Sequence, residues 1–191
     1  VTVVVVGTSI EDAEGPDGWR PRLATRLGIP VVDRSLGGGC YTAADSNGDT
    51  IRKRIDEAVG ELEPGVMFLA GPVNDLVRLS DVGPLRWAVH EADQAATAAG
   101  WRVVGGAIFP FHDGPGCAFQ AGWFPNLEAR RQAFNSWGAA HFAGRWVDLT
   151  WVLCETASVR GDRRWFRDGL HPNPLGAAII AEAFPPNVLQ T

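Results

Sequence analysis

Four consecutive valines, Val3 to Val6, constrain this chain more than any other feature. β-Branched side chains fit a pleated strand, and a run without polar alternation is buried on both faces. Such a strand needs helices above and below it, which is the setting of a parallel sheet with helical crossovers. The rest of the chain supplies both kinds of element. Short apolar runs at Pro30–Asp33, Val66–Ala70, Trp101–Phe109 and Trp146–Leu149 read as four further strands. Between them lie helix-period segments: Arg20–Leu27 stopped by Gly28, Thr50–Leu62, Leu85–Ala99 closed by Gly100, and Asn126–Phe142 with Asn126 as its cap. A last helix starts at Asn173-Pro174, a capping residue followed by proline at the first helical position. The expected fold is α/β, a three-layer doubly wound sandwich around a five-stranded parallel sheet, formed as one domain over residues 1–191.

Composition narrows the functions open to such a fold. The chain has 191 residues with 22 acidic and 17 basic side chains, a net charge of −5, and no Lys/Arg-dense arm. Nucleic acid is therefore not its expected partner, because phosphate binding needs clustered cations. Its apolar runs fall far short of the roughly 20 residues that cross a bilayer, so no membrane span is expected. Three cysteines, Cys40, Cys117 and Cys154, form no C-x-x-C pair and cannot build a disulfide framework. The Val3–Val6 run lacks the charged flank and cleavage site of a signal peptide. Cytoplasm is the default location, with a leader removed before Val1 as the alternative.

In open parallel sheets, ligands bind beyond the carboxyl ends of the strands. Ser9 follows the first strand, Gly37-Gly38-Gly39 the second, Asn74 the third, and Asp168-Gly169-Leu170-His171-Pro172 comes after the fifth. A hydroxyl, flexible backbone amides, a carboxamide and an acid–imidazole pair thus share one rim. Acyl transfer needs that set: a nucleophile, a base, an acid to orient the base, and donors for the oxyanion. Asp168 and His171 are three residues apart, so a local turn can set the carboxylate on one imidazole nitrogen and leave the other for the hydroxyl.

These segments resemble the SGNH (GDSL-type) hydrolase family in four blocks, in order. V-V-V-V-G-T-S is similar to the nucleophile block, which implies Ser9 as nucleophile. V-V-D-R-S-L-G-G-G resembles the block whose glycine amide faces the oxyanion, and alignment of the preceding strand favours Gly38. L-A-G-P-V-N-D-L is similar to the block that supplies the oxyanion-hole asparagine, here Asn74. D-G-L-H-P-N resembles the acid–base block, with Asp168 and His171. The resemblance implies a flavodoxin-like SGNH hydrolase fold and a carboxylic ester or thioester hydrolase working through a Ser-His-Asp triad and an acyl-enzyme. The Ser9 amide would join Gly38 and Asn74 in the oxyanion hole, and no metal or organic cofactor is implied. Two positions depart from the family pattern: Thr8 stands where an Asp is usual, and Gly71 precedes Asn74 by three positions rather than two.

Other readings compete. An α/β-hydrolase elbow needs G-x-S-x-G, and Ser9 is followed by Ile10-Glu11. The glycine loop lacks both nucleotide-binding glycine signatures. A non-catalytic flavodoxin-like binding module fits the sheet equally well but has no use for the Asp168/His171 pair. An acyltransferase would keep the site and replace water by an alcohol or amine. Cys40 beside the glycine loop reads as a buried, inert thiol, and His90 and His141 as structural. For the small-molecule substrate, the Pro110–Pro125 loop offers Phe111 and Trp123 as an apolar wall. Arg163 and Arg164, on the approach to Asp168, are candidates to meet an anionic leaving portion.

Overall fold

A computed structural model describes residues 1–8, 18–45, 47–110, 124–154 and 162–189. Its strands are β1 (Val3–Val6), β2 (Val31–Asp33), β3 (Val66–Leu69), β4 (Arg102–Gly106) and β5 (Trp146–Val147). They form one sheet in the order β2-β1-β3-β4-β5, with every pairing parallel. The helices are α1 (Trp19–Leu27), α2 (Ile51–Glu61), α3 (Val73–Arg78), α4 (Gly83–Ala98), α5 (Phe124–His141), α6 (Thr150–Leu153) and α7 (Pro174–Ala183).

The valine run shows why the molecule has three layers. Val4 and Val6 point into an apolar cluster with Ile51 and Ile55 of α2, Val73 and Leu76 of α3, Val89 of α4 and Phe134 of α5. Val3 and Val5 point the other way, to Trp19 and Leu23 of α1, Leu153 of α6 and Ile180 of α7. All four valines are at most 1% exposed, as a strand sandwiched between helices must be. Among the described residues no helix is long and apolar enough to cross a membrane.

The differences from the sequence reading are local and have physical causes. α5 begins at Phe124, so Asn126 lies inside the first turn and is not its cap. A proline belongs in a helix's first turn, and Pro125 marks the start better than the Asn does. β4 ends at Gly106 rather than Phe109, because side chains take over the backbone there. The Ile108 N–H donates to Asn135 Oδ1 at 2.9 Å, and its carbonyl accepts from Asn135 Nδ2 and Arg131. β5 stops at Val147, where Asp148 Oδ1 accepts from the Thr150 amide and hydroxyl and turns the chain out of the sheet. α3 was not among the expected elements, and Asn74 lies inside its first turn rather than capping it.

Candidate active site

The strand order reverses direction between β1 and β3, and this is where a doubly wound sheet opens a crevice at its carboxyl edge. Three chain segments leave the sheet there. Beyond β1 come Gly7 and the fully buried Thr8. A hydroxyl is far cheaper to bury there than the carboxylate expected from the family pattern. Ser9 lies outside the described residues, as do Phe111 and Trp123.

Beyond β2 the chain stays beside β1: the Arg34 amide donates to the Val5 carbonyl at 2.9 Å and the Leu36 amide to the Gly7 carbonyl at 3.0 Å. A turn then closes with the Gly39 amide on the Leu36 carbonyl at 2.9 Å. Gly38 occupies its third position with φ +72°, a left-handed conformation that favours glycine. This turn sits directly beside the end of β1.

Beyond β3, α3 starts at Val73 and places Asn74 in its first turn. Asn74 Nδ2 donates to the Gly39 carbonyl at 3.0 Å. That uses one of its two amide protons, and the other remains for a ligand. The next residue does more than sequence reasoning assigned to it. Asp75 is fully buried, and its carboxylate accepts from the Tyr41 amide at 2.8 Å, the Thr42 amide at 2.9 Å and the Thr42 hydroxyl at 2.5 Å. α3 is thereby tied to both ends of the Gly38–Thr42 segment.

Cys40, inside that segment, is buried, and its thiol is pushed up to about 11, first by burial and then by the Asp75 charge, with Arg78 opposing. A thiol so placed carries little of the reactive thiolate.

The Asp168–His171 pair is built locally. Phe166 and Pro172 pair as an antiparallel bridge, and the Arg167 amide donates to the His171 carbonyl at 3.0 Å, which folds residues 166–172 into a tight hairpin. Gly169 takes φ +83° at its tip. Asp168 Oδ1 accepts from the Leu170 amide at 3.1 Å and the His171 amide at 2.8 Å, while Oδ2 lies 2.6 Å from His171 Nδ1. Burial opposes the charge on Asp168, but the His171 amide, its imidazole and the Leu170 amide outweigh it and hold the carboxyl below the usual carboxylate range. With Nδ1–H donated to the carboxylate, Nε2 carries the imidazole's lone pair. α7 fixes the end of the hairpin, since Asn173 Oδ1 accepts from the Leu175 and Gly176 amides at 3.0 Å each.

The structure therefore brings Gly38 and Asn74 together, and Asp168 and His171 together, on the carboxyl side of the sheet. The other candidates stand apart. Arg164 is clamped by Asp162, at 2.5 Å for Nη2 to Oδ2, and lies over the Trp165 ring at 4.9 Å. Its charge is offset within its own turn, and Arg163 flanks it. His141 pairs with Asp93 at 3.0 Å and stacks on Trp137, and His90 packs against it. Both belong to the α4–α5 packing.

The sequence model described as the GDSL-like Lipase/Acylhydrolase family matches residues 4–179. Among curated proteins, none matches the chain. Solved structures do. A carbohydrate acetylesterase family member from Sinorhizobium meliloti superposes with a TM-score of 0.74 at 12% identity, covering 95% of this chain and 93% of that one. A GDSL-like lipase from Bacteroides thetaiotaomicron gives 0.73 at 17%, covering 95% and 84%. A member of the lipolytic protein G-D-S-L family from Veillonella parvula gives 0.72 at 16%, covering 95% and 94%. At such identities these likenesses establish the fold, and the family assignment rests on the sequence match.

Proposed function

Because the chain belongs to the GDSL-like lipase/acylhydrolase family, we propose that it hydrolyses a small-molecule ester or thioester through Ser9, His171 and Asp168. The observation that carries this reading is the Asp168–His171 hairpin, in which a carboxylate holds Nδ1 at 2.6 Å and so fixes the tautomer a general base needs. In the proposed reaction His171 Nε2 takes the Ser9 hydroxyl proton as the oxygen attacks the acyl carbon. The tetrahedral oxyanion receives hydrogen bonds from the Ser9 and Gly38 amides and from the second Asn74 amide proton. The imidazolium, stabilised by Asp168, then protonates the leaving oxygen or sulfur as its bond to carbon breaks. Water, deprotonated in turn by His171, releases the acid from Ser9. Substrate contact by Phe111, Trp123, Arg163 and Arg164 is part of the same proposal, although Asp162 already holds the Arg164 guanidinium.

A fluorophosphonate probe followed by an ester panel tests the reading. Wild type should label at Ser9 and turn over short esters, and Ser9→Ala should lose both, with turnover down on the order of 10⁴-fold. A folded Ser9→Ala variant that keeps most of its turnover would end the proposal.

A further inference from the structure

The wall of the site next to Asn74 carries a feature that the proposed reaction does not use. Asn74 and Arg78 are four residues apart on α3, on the same face and separated by about 6 Å along the axis. One turn beyond the oxyanion donor, a groove of about 540 Å³ opens between the end of α3 and the start of α5. Val77, Leu79 and Ala129 give it an apolar lining, while Arg78, Ser80, Asn126 and Arg130 are its polar members. The two arginines come from different helices.

Several arginines of this acidic chain are matched: Arg34, Arg54, Arg131, Arg145 and Arg164 each hold a carboxylate within 3.2 Å, and Arg26 and Arg86 spend their guanidinium groups on backbone carbonyls. Arg78 and Arg130 do not. Among the described residues no carboxylate pairs with either, and the only hydrogen bond of the two guanidinium groups runs from Arg130 Nε to the Asn126 carbonyl at 3.2 Å. Two guanidinium groups thus line one groove with no carboxylate among the described residues to offset them. They suit a planar or tetrahedral oxyanion placed between them. The Arg78 charge is also felt at Cys40, next to the Gly38–Gly39 turn, which sets it on the oxyanion side of the site.

We propose that this groove binds an anionic far end of the acyl group, a carboxylate or phosphate gripped by Arg78 and Arg130 while the scissile carbonyl lies at Asn74 and Gly38. The acyl side is chosen because His171 must protonate the leaving group, which therefore departs on the His171 side. This inference rests on the hydrolase reading for its substrate, but its test does not depend on turnover.

Adipate and hexanoate both present one carboxylate to the catalytic end and differ only at the far end. Calorimetric titration at low salt should show adipate, or 5-phosphonopentanoate, binding the wild-type protein about tenfold or more tightly than hexanoate. Whichever of the two is tighter identifies the anion. The preference should shrink as salt rises. It should vanish in Arg78→Gln/Arg130→Gln and be reduced in Arg78→Gln alone. Equal binding of all three ligands by wild type, or a preference that survives in the double variant, overturns the proposal. In parallel, mono-4-nitrophenyl adipate and 4-nitrophenyl hexanoate are compared for kcat/KM, and their ratio should fall about tenfold in the double variant. Failure of wild type to cleave either ester would remove the hydrolase reading, and the three-ligand titration would still decide the groove.

Discussion

Asp75 is the residue through which the proposed oxyanion donors, Gly38 and Asn74, are most exposed to a single substitution. Its two carboxylate oxygens serve three donors: Oδ2 takes the buried Tyr41 amide, and Oδ1 takes both the amide and the hydroxyl of Thr42. Asp75→Asn keeps the size but offers only one acceptor oxygen, because the other terminal atom becomes an NH₂. Whichever way the amide turns, a donor meets a donor. If the nitrogen faces Tyr41, a buried N–H is left unpaired at a cost of about 1–3 kcal/mol. If it faces Thr42, which is exposed, water can take over part of the loss. The amide should therefore turn to keep Tyr41, and the net cost should be ~1–2 kcal/mol. Asp75→Ala strands all three donors and should cost about 3–4 kcal/mol. The catalytic effect follows from the same contacts, because the freed segment carries Gly38. A misplacement near 1 Å can cost on the order of 10²-fold, so kcat should fall roughly 10- to 100-fold while KM changes little. Urea unfolding and kcat on a short ester for both variants provide the assay. Asp75→Asn within about 0.5 kcal/mol of wild type and with undiminished kcat would refute the positioning role.

Two further substitutions probe the acid–base side. A Cβ on Gly176 would lie 2.2 Å from the Trp165 carbonyl oxygen, so Gly176→Ala must push α7 away from the hairpin that holds His171. It should cost about 1–3 kcal/mol in stability and lower kcat, and unchanged melting and turnover would contradict this packing. For Asp168, the folded carboxyl titrates below its unfolded value. Its stabilisation is therefore present above the unfolded carboxylate range and is lost as pH falls through the folded value. The melting-temperature gap between wild type and Asp168→Asn should narrow from roughly pH 7 to pH 3, and a constant gap would count against the hydrogen-bonded carboxylate.

What could be read from the sequence was whatever depends on neighbours along the chain. The valine run declared a doubly covered strand, Asn173-Pro174 declared a helix start, and Asp168 and His171 declared a pair because three residues span one turn. The Gly38–Asn74 arrangement was legible only through the resemblance, since nothing local links positions 36 residues apart. α3 was not read as an element because six residues are too short for a helical period to register. Asp75 had one available signal, an acid immediately after the proposed oxyanion donor Asn74, but its partners Tyr41 and Thr42 are set by tertiary packing. Arg78 and Arg130 look like ordinary surface charges until α3 and α5 are placed side by side.

These two kinds of contact also explain how the site can be one unit. The strand order places β1 between β2 and β3, so the residue after β1 is flanked by the glycine turn and by α3 whatever the lengths of the intervening loops. The acid–base hairpin has no such guarantee, because it arrives after β5, at the far edge of the sheet, through α6 and a short 3₁₀ turn at Arg163–Trp165. Backbone pairing within the hairpin gives it shape but not position. Position comes from two buried side chains on opposite sides of the sheet. Phe166 enters the cluster of Trp19, Phe68 and Phe184, and Leu170 enters the cluster that holds Tyr41, Val73 and Ile108. Leu170 lies between Asp168 and His171 in sequence, and Tyr41 and Val73 adjoin the segment and helix that carry Gly38 and Asn74. The apolar core thus links the Asp168–His171 hairpin to the Gly38 turn and α3, a placement that neither local turn chemistry nor sheet topology sets alone.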